Sequence, residues 1–476
     1  MSAVKRLGAQ IFVYGLATVL PRALSFLLLP LYTSVFEEAS GYGEYVFIYS
    51  WIALFNVLLS YGMETSFFRY FHDKSLDQDR VVSTALWSLV LSSGLFFILA
   101  TWFNASWASL LGIRPDFLQK TVIILALDAL VVVPFALLRA QEKPVRYASI
   151  KAMNIIVNVA FNLYFLLYSN KEFIGREIDA IFLANIIASA ATLLWFLPTY
   201  LKQRPFFDFA IWKKMLRYGL PVMLAGFAFI INEVFDKILL TRLDSAYAAG
   251  IYGACYKLGV FMTLFATAFR MGVEPFFFKQ SNHENREIQY AQITYYFVAL
   301  GSVLFLTVVV FLRPIAELFI RDEAYLEGLK VVPWVLMGAL FLGVYHNLSV
   351  WYKLKDKTHI GAIISGIGAA ITLGVNLWFI PSMGYMASAL ATFSAYLAMM
   401  CLSFFWGRKH YFIPYRIGPM MAYLFTAALF AYLSLVLFET NALARVFVLL
   451  VFISFVFIRE YKGVKLLLNP FGNGSS

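Results

Sequence analysis

At 476 residues, 61 % hydrophobic and 14 % charged, with a mean hydropathy of +0.75, the chain falls outside the range of soluble domains. Apolar runs of about 20 residues fill nearly its whole length, which calls for membrane-spanning helices; the short alternating strands of a barrel are not its pattern. The net charge of +11 would suit nucleic acid, but in a membrane chain the basic residues have first to be placed among the loops.

Lys5-Arg6 opens into an apolar stretch too long for a signal-peptide core and without a small-residue cleavage site, so it reads as a retained first helix. Fourteen spans are expected, at about 9–35, 45–70, 81–103, 117–139, 148–169, 179–201, 215–242, 250–277, 289–312, 327–351, 359–380, 384–406, 417–437 and 442–459. An even number places both termini on one side. The N-terminus, the tail and the even-numbered loops hold 25 Lys and Arg, and the opposite loops hold nine. That asymmetry predicts cytoplasmic termini and makes the positive charge a topology signal, with no nucleic-acid partner. Cys255 and Cys401 both fall within spans, which argues against a disulfide framework.

The second span ends on Tyr61-Gly-Met-Glu-Thr-Ser-Phe-Phe-Arg-Tyr70, and the eighth repeats that order as Met271-Gly-Val-Glu-Pro-Phe-Phe-Phe-Lys-Gln280. Gly62 lies over Gly272, Glu64 over Glu274 and Arg69 over Lys279, at an offset of 210 residues. Tyr42-Gly43 returns as Tyr252-Gly253, and Asn162-Leu-Tyr-Phe165 as Asn376-Leu-Trp-Phe379. The expected architecture is an all-α polytopic membrane protein of about 14 transmembrane helices. It comprises two pseudo-symmetric six-helix lobes, residues 1–203 and 204–406, and an extra two-helix unit with a cytoplasmic tail, 407–476. Six is even, so the lobes share topology about an axis along the membrane normal.

An ionisable residue inside a span costs about 2.5–3.5 kcal/mol on insertion scales, so it usually faces protein or a wet cavity. In span 1, Arg22 shares a face with Thr18 and Ser25 beside the kink expected at Pro21; it is either a cavity-facing anion contact or half of a structural pair. In span 2, Asn56, Ser60 and Glu64 make one polar stripe. Asp128 and Arg139 in span 4 are 11 residues apart, about 20° from a common face. Asn154, Asn158 and Asn162 form a ladder in span 5 beside Lys151, which suits interhelical bonding or contact with a polar headgroup. In span 7, Glu233 and Lys237 are an i, i+4 pair in the favourable order, leaving Asp236 the less neutralised acid. In span 8, Arg270 and Glu274 share a face, either as an intrahelical ion pair or as site residues. Lys257 lies about 220° round from Arg270, so the two reach one cavity only if the helix bends. Five scattered histidines and no phosphate-cradling loop supply neither a metal nor a nucleotide site, so an enzyme is not expected.

The repeat, the span count and Arg139-Ala-Gln-Glu-Lys-Pro-Val-Arg-Tyr147 after span 4 together resemble a known family. It is the polysaccharide-transport branch of the multidrug/oligosaccharidyl-lipid/polysaccharide exporter superfamily, the branch of O-antigen and capsule-unit flippases. The resemblance implies a V-shaped pair of lobes around a cavity that opens alternately to each side of the bacterial cytoplasmic membrane. Its substrate would be an oligosaccharide on undecaprenyl pyrophosphate, handed on to polysaccharide polymerase machinery. Cations on both lobes would meet the anionic headgroup; the positions that fit are Arg22, Arg270, Lys257, Arg69 and Arg139, with Asn158 as a further headgroup contact. Glu64, Glu274, Asp128 and Asp236 would serve gating, or coupling to protons or sodium, with no other cofactor. The last two helices, nearly free of interior charge, would flank a groove for the lipid tail. A peptidoglycan-precursor flippase and a cation-coupled multidrug antiporter are the alternatives within the superfamily; the arginines argue against the antiporter, which wants an acidic, aromatic cavity. A passive scaffold has no need to bury charge.

Overall fold

A computed structural model describes residues 26–169, 173, 175–279, 286–355, 357–439 and 441–468, without the side chains of 272, 274–279 and 462–468. The described residues are mostly helical, with no strand among them. The helices run α1 (Leu29–Val35), α2 (Ala39–Ser60), α3 (Met63–Phe71), α4 (Gln78–Trp102), α5 (Asn104–Leu111), α6 (Pro115–Ala140), α7 (Pro144–Leu163) and α8 (Glu177–Lys202). They continue with α9 (Phe209–Leu243), α10 (Ala246–Lys257), α11 (Val260–Lys279), α12 (Arg286–Val310), α13 (Leu312–Phe319), α14 (Val332–Leu348) and α15 (Val350–Leu354). The last are α16 (Thr358–Met383), α17 (Tyr385–His410), α18 (Ile417–Tyr432) and α19 (Ala442–Leu468).

Local chemistry sets the boundaries. Asp77 and Asp208 cap α4 and α9 by accepting from the first free amides of each helix. Ser245 caps α10 in the same way, and prolines at the first positions of α6 and α7 fit where no amide partner is needed. Eleven stretches of helix are long and apolar enough to cross a membrane, counting α2 with α3, α7 with 164–168, 323–331 with α14 and α15, and α18 with 433–437 as one each; they are twelve if the bent pair α10–α11 is one span. The expected fourteen is therefore not reached among the described residues. The first span lies mainly outside them, and 215–242 falls within α9, whose 35 residues make about 52 Å of helix.

Two close helix crossings join the first half of the chain to the second. At one end of the bundle α2 meets α10: a Cβ on Gly43 would lie 1.8 Å from the Ala246 carbonyl oxygen, and one on Gly250 1.9 Å from that of Ala39. At the other end the chain turns between α2 and α3 through Tyr61 (φ 32°) and Gly62 (φ 70°). There a Cβ on Gly62 would lie 2.2 Å from the Gly219 carbonyl oxygen of α9, and Ser66 Oγ donates to the Met215 carbonyl at 2.9 Å. In lipid, such backbone approach is a main source of helix association. Gly250→Val is accordingly expected to lower stability by about 1–3 kcal/mol through overpacking, read as a lower melting temperature in detergent, whereas Gly94→Val, with open space around it, should leave melting unchanged.

The asparagines aligned by the repeat behave alike. Asn162 and Asn376 are both fully buried, and each donates to the carbonyl four residues before it at 2.8 Å. The Oδ1 of each accepts a hydroxyl from another helix, Tyr32 at 3.0 Å and Ser388 at 2.8 Å. In the last two helices the expectation of nearly charge-free spans needs correction. Helix α19 continues past residue 459, and Glu460 is buried, accepting from the Tyr423 hydroxyl at 2.6 Å and from the Tyr295 hydroxyl. That cluster docks α18 and α19 on α12.

Candidate functional site

The bend that would let Lys257 and Arg270 share one cavity is present, but it brings only Lys257 to a cavity wall. Helices α10 and α11 meet at 45° across Leu258-Gly259, where a Cβ on Gly259 would come within 2.8 Å of Val335. The bend places Lys257 on the wall of a cavity of about 480 Å³ between α2, α9, α10, α11, α14 and α17. Its ammonium nitrogen is buried and has no hydrogen-bond partner among the described residues. Three tyrosine rings surround it instead, with Nζ 5.7 Å from the centroid of Tyr32, 5.5 Å from Tyr42 and 5.9 Å from Tyr45. Cation–π attraction offsets part of the lost hydration, about 0.5–2 kcal/mol at a time, but leaves every N–H unused. A desolvated cation without a counter-ion beside an open cavity is suited to receive an anion.

The second cation in the wall, Lys237, is compensated. It meets Asp236 Oδ1 at 2.9 Å, donates to the Glu233 carbonyl oxygen at 2.8 Å and lies 3.8 Å above the Tyr256 ring. The Tyr252 hydroxyl donates to Asp236 Oδ2 at 2.7 Å. This reverses the expected pairing: Lys237 neutralises Asp236, and Glu233, which the i, i+4 rule assigned to Lys237, lines the cavity and makes no salt bridge among the described residues. Sequence reasoning missed Glu233 for that reason. It also missed Tyr45, Tyr49, Tyr256 and Tyr396, the aromatic lining of the cavity; their only signal was that tyrosines are frequent.

The other candidates fall elsewhere. Arg139 Nη2 pairs with Glu64 Oε1 at 2.9 Å, joining α6 to α3, and Arg69 stacks on Tyr218 of α9 at 4.4 Å. Asp128 accepts from Ser189 Oγ at 2.7 Å, with Lys151 and Asn56 also facing it. Asn158 accepts from Asn162 at 3.1 Å and Asn154 donates to Thr192 at 2.9 Å, so this ladder bonds within the helix bundle. None of Arg69, Arg139, Asn158 or Arg270 lines the cavity. Arg22 lies outside the described residues, as does the side chain of Glu274, although its backbone is helical within α11. Among the described residues no cluster of His, Cys, Asp and Glu could hold a metal ion.

The fold is that of known lipid and drug transporters. A solved structure titled lipid II flippase MurJ, inward closed conformation, superposes with a TM-score of 0.75 at 15 % identity, covering 95 % of this chain and 100 % of that one. An inward-facing multidrug resistance MATE family transporter superposes at 0.62 and 15 % identity, covering 85 % and 96 %. By sequence the chain is 22 % identical over 289 residues to an Lsg locus protein of Haemophilus influenzae, covering 58 % of this chain and 67 % of that one. It is 19 % identical to an uncharacterized membrane protein of the same organism, covering 56 % and 64 %. The chain thus spans about two thirds of the length of the curated relatives it matches. The MatE family profile matches residues 221–378, and the profile described as polysaccharide biosynthesis protein matches 7–262, more than half the chain. The protein belongs to the polysaccharide biosynthesis protein family.

Proposed function

We propose that the protein is an alternating-access flippase, carrying an undecaprenyl-pyrophosphate-linked oligosaccharide across the bacterial cytoplasmic membrane for cell-surface polysaccharide assembly. The observation that carries this reading is the uncompensated Lys257 ammonium on the wall of a tyrosine-lined cavity. It suits a pyrophosphate, and flanking aromatic rings and hydroxyls suit sugars. Arg22 and Arg270 would supply further phosphate contacts as the lobes, 1–203 and 204–406, rock. A cavity of about 480 Å³ falls in the small-ligand range, so a headgroup of several sugars enters only when the lobes separate. With the headgroup in that cavity the lipid tail stays in the bilayer along the last two helices, and sugars never cross hydrocarbon. The termini face the cytoplasm in this reading, and a polymerase receives the flipped unit.

Mass spectrometry of polyprenyl-linked glycans after depletion of the protein tests the reading. Accumulation of a surface-polysaccharide repeat unit supports it. The likeness to MurJ over 95 % of the chain favours one second reading, a peptidoglycan-precursor flippase, and accumulation of that precursor would select it.

Glu64 and Arg139 then act as a gate within the first lobe that opens when α3, which packs on α9 of the second lobe, is drawn from α6 as the lobes rock, with Glu274, Asp128 and Asp236 as further gating or coupling acids. The gate pair is half-exposed, with side chains 48 % and 37 % accessible, so it stabilises the fold by only about 0–1 kcal/mol. Glu64→Gln should therefore barely shift melting yet slow transport, and the charge-reversed double variant Glu64→Arg/Arg139→Glu should recover part of the rate. Wild-type transport by Glu64→Gln would remove the gate role.

A further inference from the structure

A second pocket, larger than the central cavity, lies between the end of α12, the 3-10 helix 323–331, the start of α14, α17 and the last helix pair; its volume is about 770 Å³. Its walls are mainly apolar, and four ionisable side chains, Arg313, Lys330, Glu439 and Arg445, line it as well. Arg313 is committed to Glu317 at 2.9 Å. Lys330 lies 4.9 Å over the Tyr385 ring and, like Glu439 and Arg445, makes no salt bridge among the described residues. Arg445 Nε is buried and has no hydrogen-bond partner among the described residues. The rim is lipid-facing: Tyr432 and Val436 are 60 % and 55 % exposed.

We infer that this pocket is a resident binding site for one anionic phospholipid, with an acyl chain along its apolar wall and the phosphate between Arg445 and Lys330. Charge selects this occupant. With Arg313 neutralised by Glu317, the two remaining cations and Glu439 leave a single positive charge, which matches a phosphodiester lipid and not a pyrophosphate. A guanidinium can present two parallel donors to phosphate oxygens, and the buried Nε is one such donor now unused. The ionisable ring comes from the starts of α13 and α19, the end of the 3-10 helix 323–331 and the turn at Glu439, at the ends of the spans, the depth at which lipid phosphates lie, and on the face whose loops carry few basic residues. A lipid held here would bridge α17, α14 and the last helix pair, which otherwise adjoin across an open pocket. The inference is independent of the transported substrate.

The test uses the full chain in detergent, titrated with phosphatidylglycerol or with phosphatidylcholine of the same acyl chains. Retention is counted by native mass spectrometry and stability followed by melting. The wild type should retain one phosphatidylglycerol per chain, at least tenfold more tightly than phosphatidylcholine, and melt higher with it. Lys330→Glu, at an exposed position where folding is not at stake, should lose that preference, as should Arg445→Met, while Lys257→Met should keep it. Equal retention of the two lipids, an unchanged preference in Lys330→Glu, or displacement of phosphatidylglycerol by equimolar polyprenyl monophosphate would each overturn the inference.

Discussion

Replacing Lys257 with methionine is expected to abolish transport and to leave the protein as stable as before, or more so. The ordinary consequence of removing a buried charge is to strand its partner, but Lys257 Nζ has no hydrogen-bond partner among the described residues to strand. Methionine keeps all of the side chain but its terminal ammonium, stays in the box of Tyr32, Tyr42 and Tyr45, and relieves the desolvation of an unpaired ammonium. What it removes is the donor for an incoming anion. A hydrogen bond to a charged group contributes about 1.5–3 kcal/mol, so headgroup affinity should fall roughly 10–150-fold, and glycan export with it. Lys257→Arg keeps the cation and should retain part of the activity. Melting in detergent and surface-glycan export in a depleted strain read the two halves separately; normal export by Lys257→Met would end the cavity reading.

Asp236→Ala should have the opposite signature. The pair with Lys237 lies inside the bundle, Asp236 fully buried and Lys237 8 % exposed, and the Tyr252 hydroxyl depends on the same carboxylate. Removing one member of such a pair leaves an unpaired buried charge, at a cost of about 3–5 kcal/mol, so the single variant should express poorly and melt early. The double variant Asp236→Asn/Lys237→Met removes both charges and keeps an oxygen to accept from Tyr252. It should recover most of the lost stability, because a buried ion pair contributes little net stabilisation over an uncharged replacement. If Asp236 also couples transport to an ion, the recovered protein remains inactive. Wild-type export by the double variant would make the pair purely structural.

The contrast between these two lysines shows where sequence reasoning reached its limit. Both are visible in the sequence as cations in apolar runs. Spacing alone offered Lys237 two carboxylates, Glu233 and Asp236. The i, i+4 preference measured on exposed helices favoured the first, but inside the bundle the Tyr252 hydroxyl of α10 fixes Asp236 and the Tyr256 ring holds the ammonium beside it. A cross-helix neighbour decided the pairing, and with it released Glu233 to the cavity. Arg139 and Glu64 were likewise assigned separate roles, and their contact depends on how α3 leaves the Tyr61-Gly62 turn.

The amino-acid sequence by itself determined the membrane-spanning all-α class, because hydrocarbon leaves backbone groups no partner but their own helix. It also determined the paired motifs, whose asparagines Asn162 and Asn376 make like bonds, and it set a bend in their helix as the condition for Lys257 and Arg270 to share a cavity. Only the tertiary structure decided that the bend occurs at Leu258-Gly259, that three tyrosines from α1 and α2 enclose the amine, and that no counter-ion among the described residues reaches it. Those facts depend on helices some 200 residues apart crossing within backbone contact at Gly43 and Gly250, and local periodicity carries no information about which helix lies across such a crossing.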